Sequence, residues 1–247
     1  MQYHFTVDTP IEESVDGAIR RVKDRREYAD ALGASSRRIR EYASCVILEL
    51  ARRDASLVSD FADAIADALD RPETQTRYNM LEAIRLLCPV QAKVVDGAYD
   101  AIEDCLYDED SATVRLYAFQ VFTCYGATTA ARSKRVWPTI AAALRCYHGD
   151  AEFIPMVNEL LAMLEGKVDQ SVKEGATELF AFDAENGKGL LARKAQAVIA
   201  YAPEVIERLK REAALAEAQK AEAAARKAAE ADAAAADEDD DEEIEDE

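Results

Sequence analysis

Between Ser56 and Leu69, the apolar residues Leu57, Val58, Phe61, Ile65 and Leu69 recur on one helical face, while Asp60, Asp63 and Asp67 fall on others. Apolar positions three and four apart predict an amphipathic α-helix. The run from Thr74 to Pro89 carries a second stripe, Met80, Leu81, Ile84 and Leu87, and Pro89 ends it. The plan then repeats, with Val94, Val95, Ala98, Ile102 and Leu106 followed by Val114, Ala118, Val121 and Phe122. The pattern predicts helix pairs near 10–32 with 35–53, 56–70 with 74–88, 92–107 with 111–126, and 133–147 with 150–165. A less regular pair follows at 168–182 with 188–201. Thr9 as N-cap, Pro10 and Glu12 read as the start signal of the first helix. Residues 1–9 are expected to form a short N-terminal arm.

The pairs keep a period. Leu32, Leu69, Leu106 and Leu144 are spaced by 37, 37 and 38 residues. Asp30, Asp67 and Asp104 stand two residues before the first three of these, and Arg40, Arg77 and Arg115 follow in step. The segments "IREYASCVILEL" (Ile39 to Leu50) and "VRLYAFQVFTCY" (Val114 to Tyr125) match at Arg40/Arg115, Tyr42/Tyr117, Ala43/Ala118 and Val46/Val121. They are the second helices of two copies of one unit. A single helix pair cannot bury its own stripe, but stacked copies can. The pattern therefore predicts an all-α stack of about five antiparallel helix pairs, continuous over residues 10–202.

A first helix, a short acidic turn and then V-R-x-x-A-x-x-x-apolar is similar to the HEAT repeat, within the HEAT/armadillo superfamily of α-solenoids. "DSATVRLYAFQVF" (Asp110 to Phe122) is the best copy, and "SRRIREYASCVI" and "TQTRYNMLEAI" are fair ones. The fourth copy departs, with Phe153 at the arginine position and Pro155 in its first turn. The resemblance covers residues 10–165 well and 166–201 poorly. It implies a right-handed solenoid. It also implies an inter-repeat ladder between Asp30, Asp67 and Asp104 and the arginines Arg40, Arg77 and Arg115. The second helices would line a concave binding face.

On those helices, Arg37, Arg38, Arg40, Arg52 and Arg53 outnumber Glu41 and Glu49. Arg77, Arg85 and Arg115 extend the basic series, whereas the charged residues of 150–165 are all acidic, Asp150, Glu152, Glu159 and Glu165. A groove running from basic to acidic is expected, with these eight arginines as candidate contacts for a protein or peptide partner, one bearing an acidic segment among them. Trp137 is read as a packing residue, with a recognition anchor as the alternative.

After Pro203 the composition changes. Residues 203–236 are rich in alanine with Glu-to-Lys spacings, which predicts a solvated helix without a coiled-coil seam. Residues 237–247 are acidic at every position except Ile244, which predicts a disordered tail.

Charge and chemistry narrow the function further. The net charge is −19, and residues 210–247, with 5 Lys/Arg against 15 Asp/Glu, supply −10 of it. Such a chain repels nucleic acid at long range, so duplex DNA binding is not expected. Five cysteines without a CxxC pair read as small buried residues of a reduced, cytoplasmic protein. The N-terminus does not read as a signal peptide, and no membrane span is expected. His4 and His148 belong to no ligand motif, so no metal or cofactor is expected. "NGKG" (Asn186 to Gly189) lacks the frame of a phosphate loop and reads as a turn. "DEDS" (Asp108 to Ser111) reads as a turn ending in an N-cap. The expected protein is a monomeric, non-enzymatic scaffold. The alternative is a nucleic-acid-binding protein resembling the HEAT-like DNA glycosylases, which grip DNA on a basic concave face.

Overall fold

In the computed structural model, residues 3–242 are described, with side chains through residue 225. The chain divides into two units, residues 1–201 and 202–247. Every regular element among the described residues is helical.

The first unit contains five helix pairs. The second helices are α3 (Arg37–Arg53), α5 (Thr74–Leu87), α8 (Ala112–Gly126), α10 (Phe153–Leu164) and α12 (Gly189–Ile199). Each packs on the next, in that order, and forms one layer. The first helices make the other layer. They are α1 (Ile11–Arg20) with α2 (Val22–Ala31), α4 (Ala62–Asp67), α6 (Lys93–Gly97) with α7 (Tyr99–Leu106), α9 (Ala130–Cys146) and α11 (Gln170–Asn186). Leu32, Leu69, Leu106 and Leu144 are all buried where a first helix ends. The periodic leucines thus seal one repeat to its neighbour.

Three first helices predicted as continuous are interrupted. The first breaks at Arg21, whose φ of −135° and ψ of 110° are extended. Arg25 compensates, its Nη1 donating to the carbonyls of Ala18 (3.3 Å) and Ile19 (3.1 Å). The second flanks α4 with 3₁₀ turns at Ala55–Leu57, Ser59–Phe61 and Ala68–Asp70. Asp54 and Ser59 hydrogen-bond to local backbone there, offering it an alternative to the helix. The third breaks after Gly97, a poor helix residue. The second helices are unbroken, and α3, α5 and α8 each bury more than half of their residues.

Caps follow the sequence in part. Ser111 accepts from the Val114 amide at 3.2 Å and Thr129 from the Arg132 amide at 3.2 Å. Thr9 does not cap α1: its carbonyl instead accepts from the Tyr42 hydroxyl at 2.9 Å. The NGKG segment is a turn, with Gly189 at φ 60° in the region that favours glycine.

The N-terminal arm closes the open end of the stack. Phe5 lies among Tyr3, Tyr28 and Tyr42, with ring centroids 5.2, 4.6 and 5.7 Å away. Below it, Ser14 and Tyr42 share a 2.6 Å hydrogen bond. Terminal repeats have a face with no neighbour and need such a cap. Phe5→Ala is expected to lose about 2 kcal/mol, from half-buried apolar area plus three aromatic pairs. Urea unfolding would register this as a lower midpoint at unchanged slope; an unmoved midpoint would show that the arm is not a cap.

The second unit contains α13 (Pro203–Glu242), a helix of 40 residues. From Lys210 to residue 225 every side chain is exposed, including Leu215 at 63%. At ~1.5 Å per residue its length is about 60 Å. The alanine-rich composition predicts a helix ending at residue 236; the structure carries it to Glu242. The rest of the expected disordered tail, residues 243–247, lies outside the described residues.

Candidate binding face

The three periodic arginines do not face a partner. Arg40 holds Glu73 through two hydrogen bonds, Nε to Oε2 at 3.1 Å and a second to Oε1. Its Nη1 also donates to the carbonyls of Ala34 (2.7 Å) and Ser35 (2.9 Å). Arg77 pairs with Asp108, and Arg115 with Glu152, the latter through Nε at 2.7 Å. The side chains of Arg40 and Glu73 are only 11% and 4% exposed. The Glu73 carboxyl lies below its ordinary range, chiefly through the hydrogen bonds from Arg40, and the Arg40 guanidinium is raised in turn.

An inter-repeat ladder therefore exists, but its carboxylates are not Asp30, Asp67 and Asp104. Those three are exposed. Each stands two residues before a buried leucine, and a two-residue offset rotates a helical side chain about 200°, away from the core. The carboxylates used, Glu73, Asp108 and Glu152, sit in the turns before α5, α8 and α10. There they also meet the positive end of the following helix. A sequence signal existed: an acid in the turn preceding each of these second helices. Arg40, Arg77 and Arg115 are each the fourth residue of their helix; in α10 that place is held by the fully buried Met156, not by Phe153, whose ring packs on Phe180 with centroids 6.1 Å apart.

The remaining candidate arginines are also engaged. Arg37 meets Glu41 at 2.9 Å, Arg52 meets Glu49 at 2.7 Å, and Arg85 grips Glu82 through bonds of 2.7 and 2.8 Å. Arg38 and Arg53 turn toward the N-terminal side, to Asp8 and Glu12, each at 2.6 Å. All eight expected contacts thus have a carboxylate already. The excess of arginine on α3 is met by Asp8, Glu12 and Glu73, which come from other elements and lie outside a count made along the helix.

What the second-helix layer does present is a mixed face. Tyr78 of α5 and Tyr117 of α8, both half-buried, lie 5.8 Å apart between ring centroids. Burial, the largest cause, pushes the Tyr78 hydroxyl above its ordinary value. Gln75 reaches Cys45 at 3.2 Å, and Gln120 reaches Glu159 at 3.1 Å. These side chains tie successive second helices together at the surface. The tyrosines escaped the sequence reading, although Tyr117 lay inside the matched segment.

Cys88 and Cys105 are buried, Cys45 and Cys124 are half-buried, but Cys146 is exposed, at the C-terminal end of α9. Burial pushes the Cys105 thiol up to about 11. Trp137 is half-buried against Gly175, where an added Cβ would lie 2.7 Å from its Nε1. It packs α9 on α11. Among the described residues, no cluster of three or more His, Cys, Asp or Glu could hold a metal ion. No described helix is long and apolar enough to cross a membrane.

Comparison with solved structures agrees with this architecture. A designed armadillo repeat protein in complex with the peptide (KR)4 is similar over 79% of this chain and 95% of its own, with 14% identity and a TM-score of 0.60. An engineered protein matches over 82% of this chain and 93% of its own, with 10% identity and a TM-score of 0.62. Computationally designed armadillo repeat proteins for modular peptide recognition match over 77% and 91%, with 13% identity and a TM-score of 0.58. No protein-family model and no curated protein matches the chain. The fold is a HEAT/armadillo-like α-solenoid.

Proposed function

We infer that this chain is a non-enzymatic scaffold that holds an extended peptide segment of another protein across its second-helix face. The observation carrying this reading is the Tyr78–Tyr117 pair at the centre of a face whose candidate arginines are already paired internally. Half-buried tyrosines offer large contact area at little entropic loss and are frequent anchors of binding. Two structural neighbours, one in complex with a peptide and one designed for peptide recognition, add support by analogy of fold. Because every candidate arginine is paired, the favoured partner is no longer an acidic segment. A mixed apolar and polar peptide suits the face better.

The test is selection of peptides from a random displayed library on the full chain. Tyr78→Ala with Tyr117→Ala is expected to weaken the selected peptides by about 2 kcal/mol, roughly thirtyfold in Kd. Peptides that bind the double variant as tightly as the parent would place the contact elsewhere and sink the reading.

A further inference from the structure

A second surface lies among the first helices, away from the tyrosine face. The end of α9, the start of α10 and the C-terminal half of α11 enclose a cavity of about 290 Å³. Its wall is apolar: Leu144, Phe153 and Phe180 are buried, and Phe182 stands beside them 72% exposed. A large exposed apolar side chain alone is unremarkable, but one flanking an open apolar cavity forms a contiguous patch of the kind that binds partners.

The rim is polar and unevenly satisfied. His148 and Asp183 hold each other, Nε2 to Oδ2 at 3.0 Å, which ties the Asp183 carboxylate to the imidazole on its own wall. Arg145, three residues before His148, is exposed and, among the described residues, meets no carboxylate or carbonyl. It differs in this from the eight arginines of the second helices, each of which has its acid. An apolar cavity with an unpaired guanidinium at its edge defines a two-part ligand.

We propose that this pocket docks a partner segment in which a bulky apolar side chain is followed directly by a carboxylate. The apolar side chain fills the cavity against Phe153 and Phe180 and is covered on one side by Phe182. The carboxylate meets Arg145 at the rim. Apolar burial supplies affinity that is nearly blind to sequence, whereas Arg145 favours an anion and repels a cation at the adjacent position. This surface is independent of the peptide face, so either assignment stands without the other.

The experiment uses the full chain, isotope-labelled, titrated with the synthetic peptide acetyl-Gly-Ser-Leu-Glu-Ser-Gly-amide while amide signals are followed. The signals of Arg145, Phe182 and Asp183 are expected to shift saturably. Replacing the peptide leucine by alanine, or its glutamate by lysine, should weaken binding about fivefold or more. Arg145→Glu should reverse the preference, so that the lysine peptide binds better than the glutamate one. This reversal cannot arise from misfolding, since a misfolded variant would bind neither. Equal binding of the Leu-Glu and Leu-Lys peptides, or shifts confined to Tyr78 and Tyr117, would overturn the proposal. So would dimerisation that Phe182→Ala abolishes, which would assign the pocket to a second copy of the chain.

Discussion

Phe119→Ala is expected to remove about 4 kcal/mol of stability and to split unfolding into two transitions. Phe119 is fully buried on α8. That helix contacts α5 before it, α10 after it, and α7 and α9 of the other layer. Truncating a buried phenylalanine loses its transfer free energy and leaves a cavity that close-packed neighbours fill only partly. In most domains the effect would be a shifted midpoint alone. In a stack, each repeat touches only its neighbours, and stability is nearly a sum of repeat and interface contributions. Weakening the middle unit therefore uncouples the two ends. Hydrogen exchange should show α3 and α11 opening at different denaturant concentrations in the variant and together in the parent. Val198→Ala, a truncation in the last repeat, should fray that end and leave one main transition. A single, unshifted transition in Phe119→Ala would contradict the stack as the unit of cooperativity.

The second large effect concerns the buried ladder. Glu73→Ala leaves the Arg40 guanidinium buried without its anion and should lose about 3 kcal/mol. Replacing both partners, Arg40→Met with Glu73→Leu, should return stability to within about 1 kcal/mol of the parent, because no orphaned charge remains. The pH dependence separates these cases. The ordinary value for the Glu73 carboxyl is 4.5, and in the folded protein it lies lower. The unfolded chain therefore takes up the proton first as the solution is acidified. The contribution of Glu73 is complete above pH 4.5 and is lost as the pH falls through the folded value. The parent should lose stability over that acid window more steeply than the Met/Leu double variant. Parallel curves for the two would show that this carboxylate is not linked to folding.

The architecture was legible because burial has a period. Leu32, Leu69, Leu106 and Leu144 recur for a packing reason, and all four are buried. Local breaks were not legible. Nothing in "AIRRVKD" announces the extended residue Arg21, because Arg25 stabilises the break by reaching back to two carbonyls. The ladder was half legible. The arginines recur in register, but their acids sit in turns of variable length, at separations of 33, 31 and 37 residues. The aspartates that do keep register, Asp30, Asp67 and Asp104, face solvent. The basic groove failed for a related reason. Summing charge along α3 includes Glu41 and Glu49 but misses Asp8, Glu12 and Glu73, which reach Arg38, Arg53 and Arg40 from other elements. The tyrosine pair failed because it is a contact between two repeats, and neither tyrosine has a distinctive neighbour along the chain.

The ladder gives the second and third repeats a plug and a socket each. Arg40, Arg77 and Arg115 reach forward, while Glu73, Asp108 and Glu152 receive from behind. The unit spanning Glu73 to Leu106 carries one of each: the socket for Arg40 and the plug for Asp108. Duplicating such a unit in tandem therefore creates as many new plugs as sockets and strands no buried charge. A gene for this protein could lengthen by whole repeats without a compensating change elsewhere. It could not lengthen by half a repeat, which would leave a guanidinium sealed against an apolar neighbour.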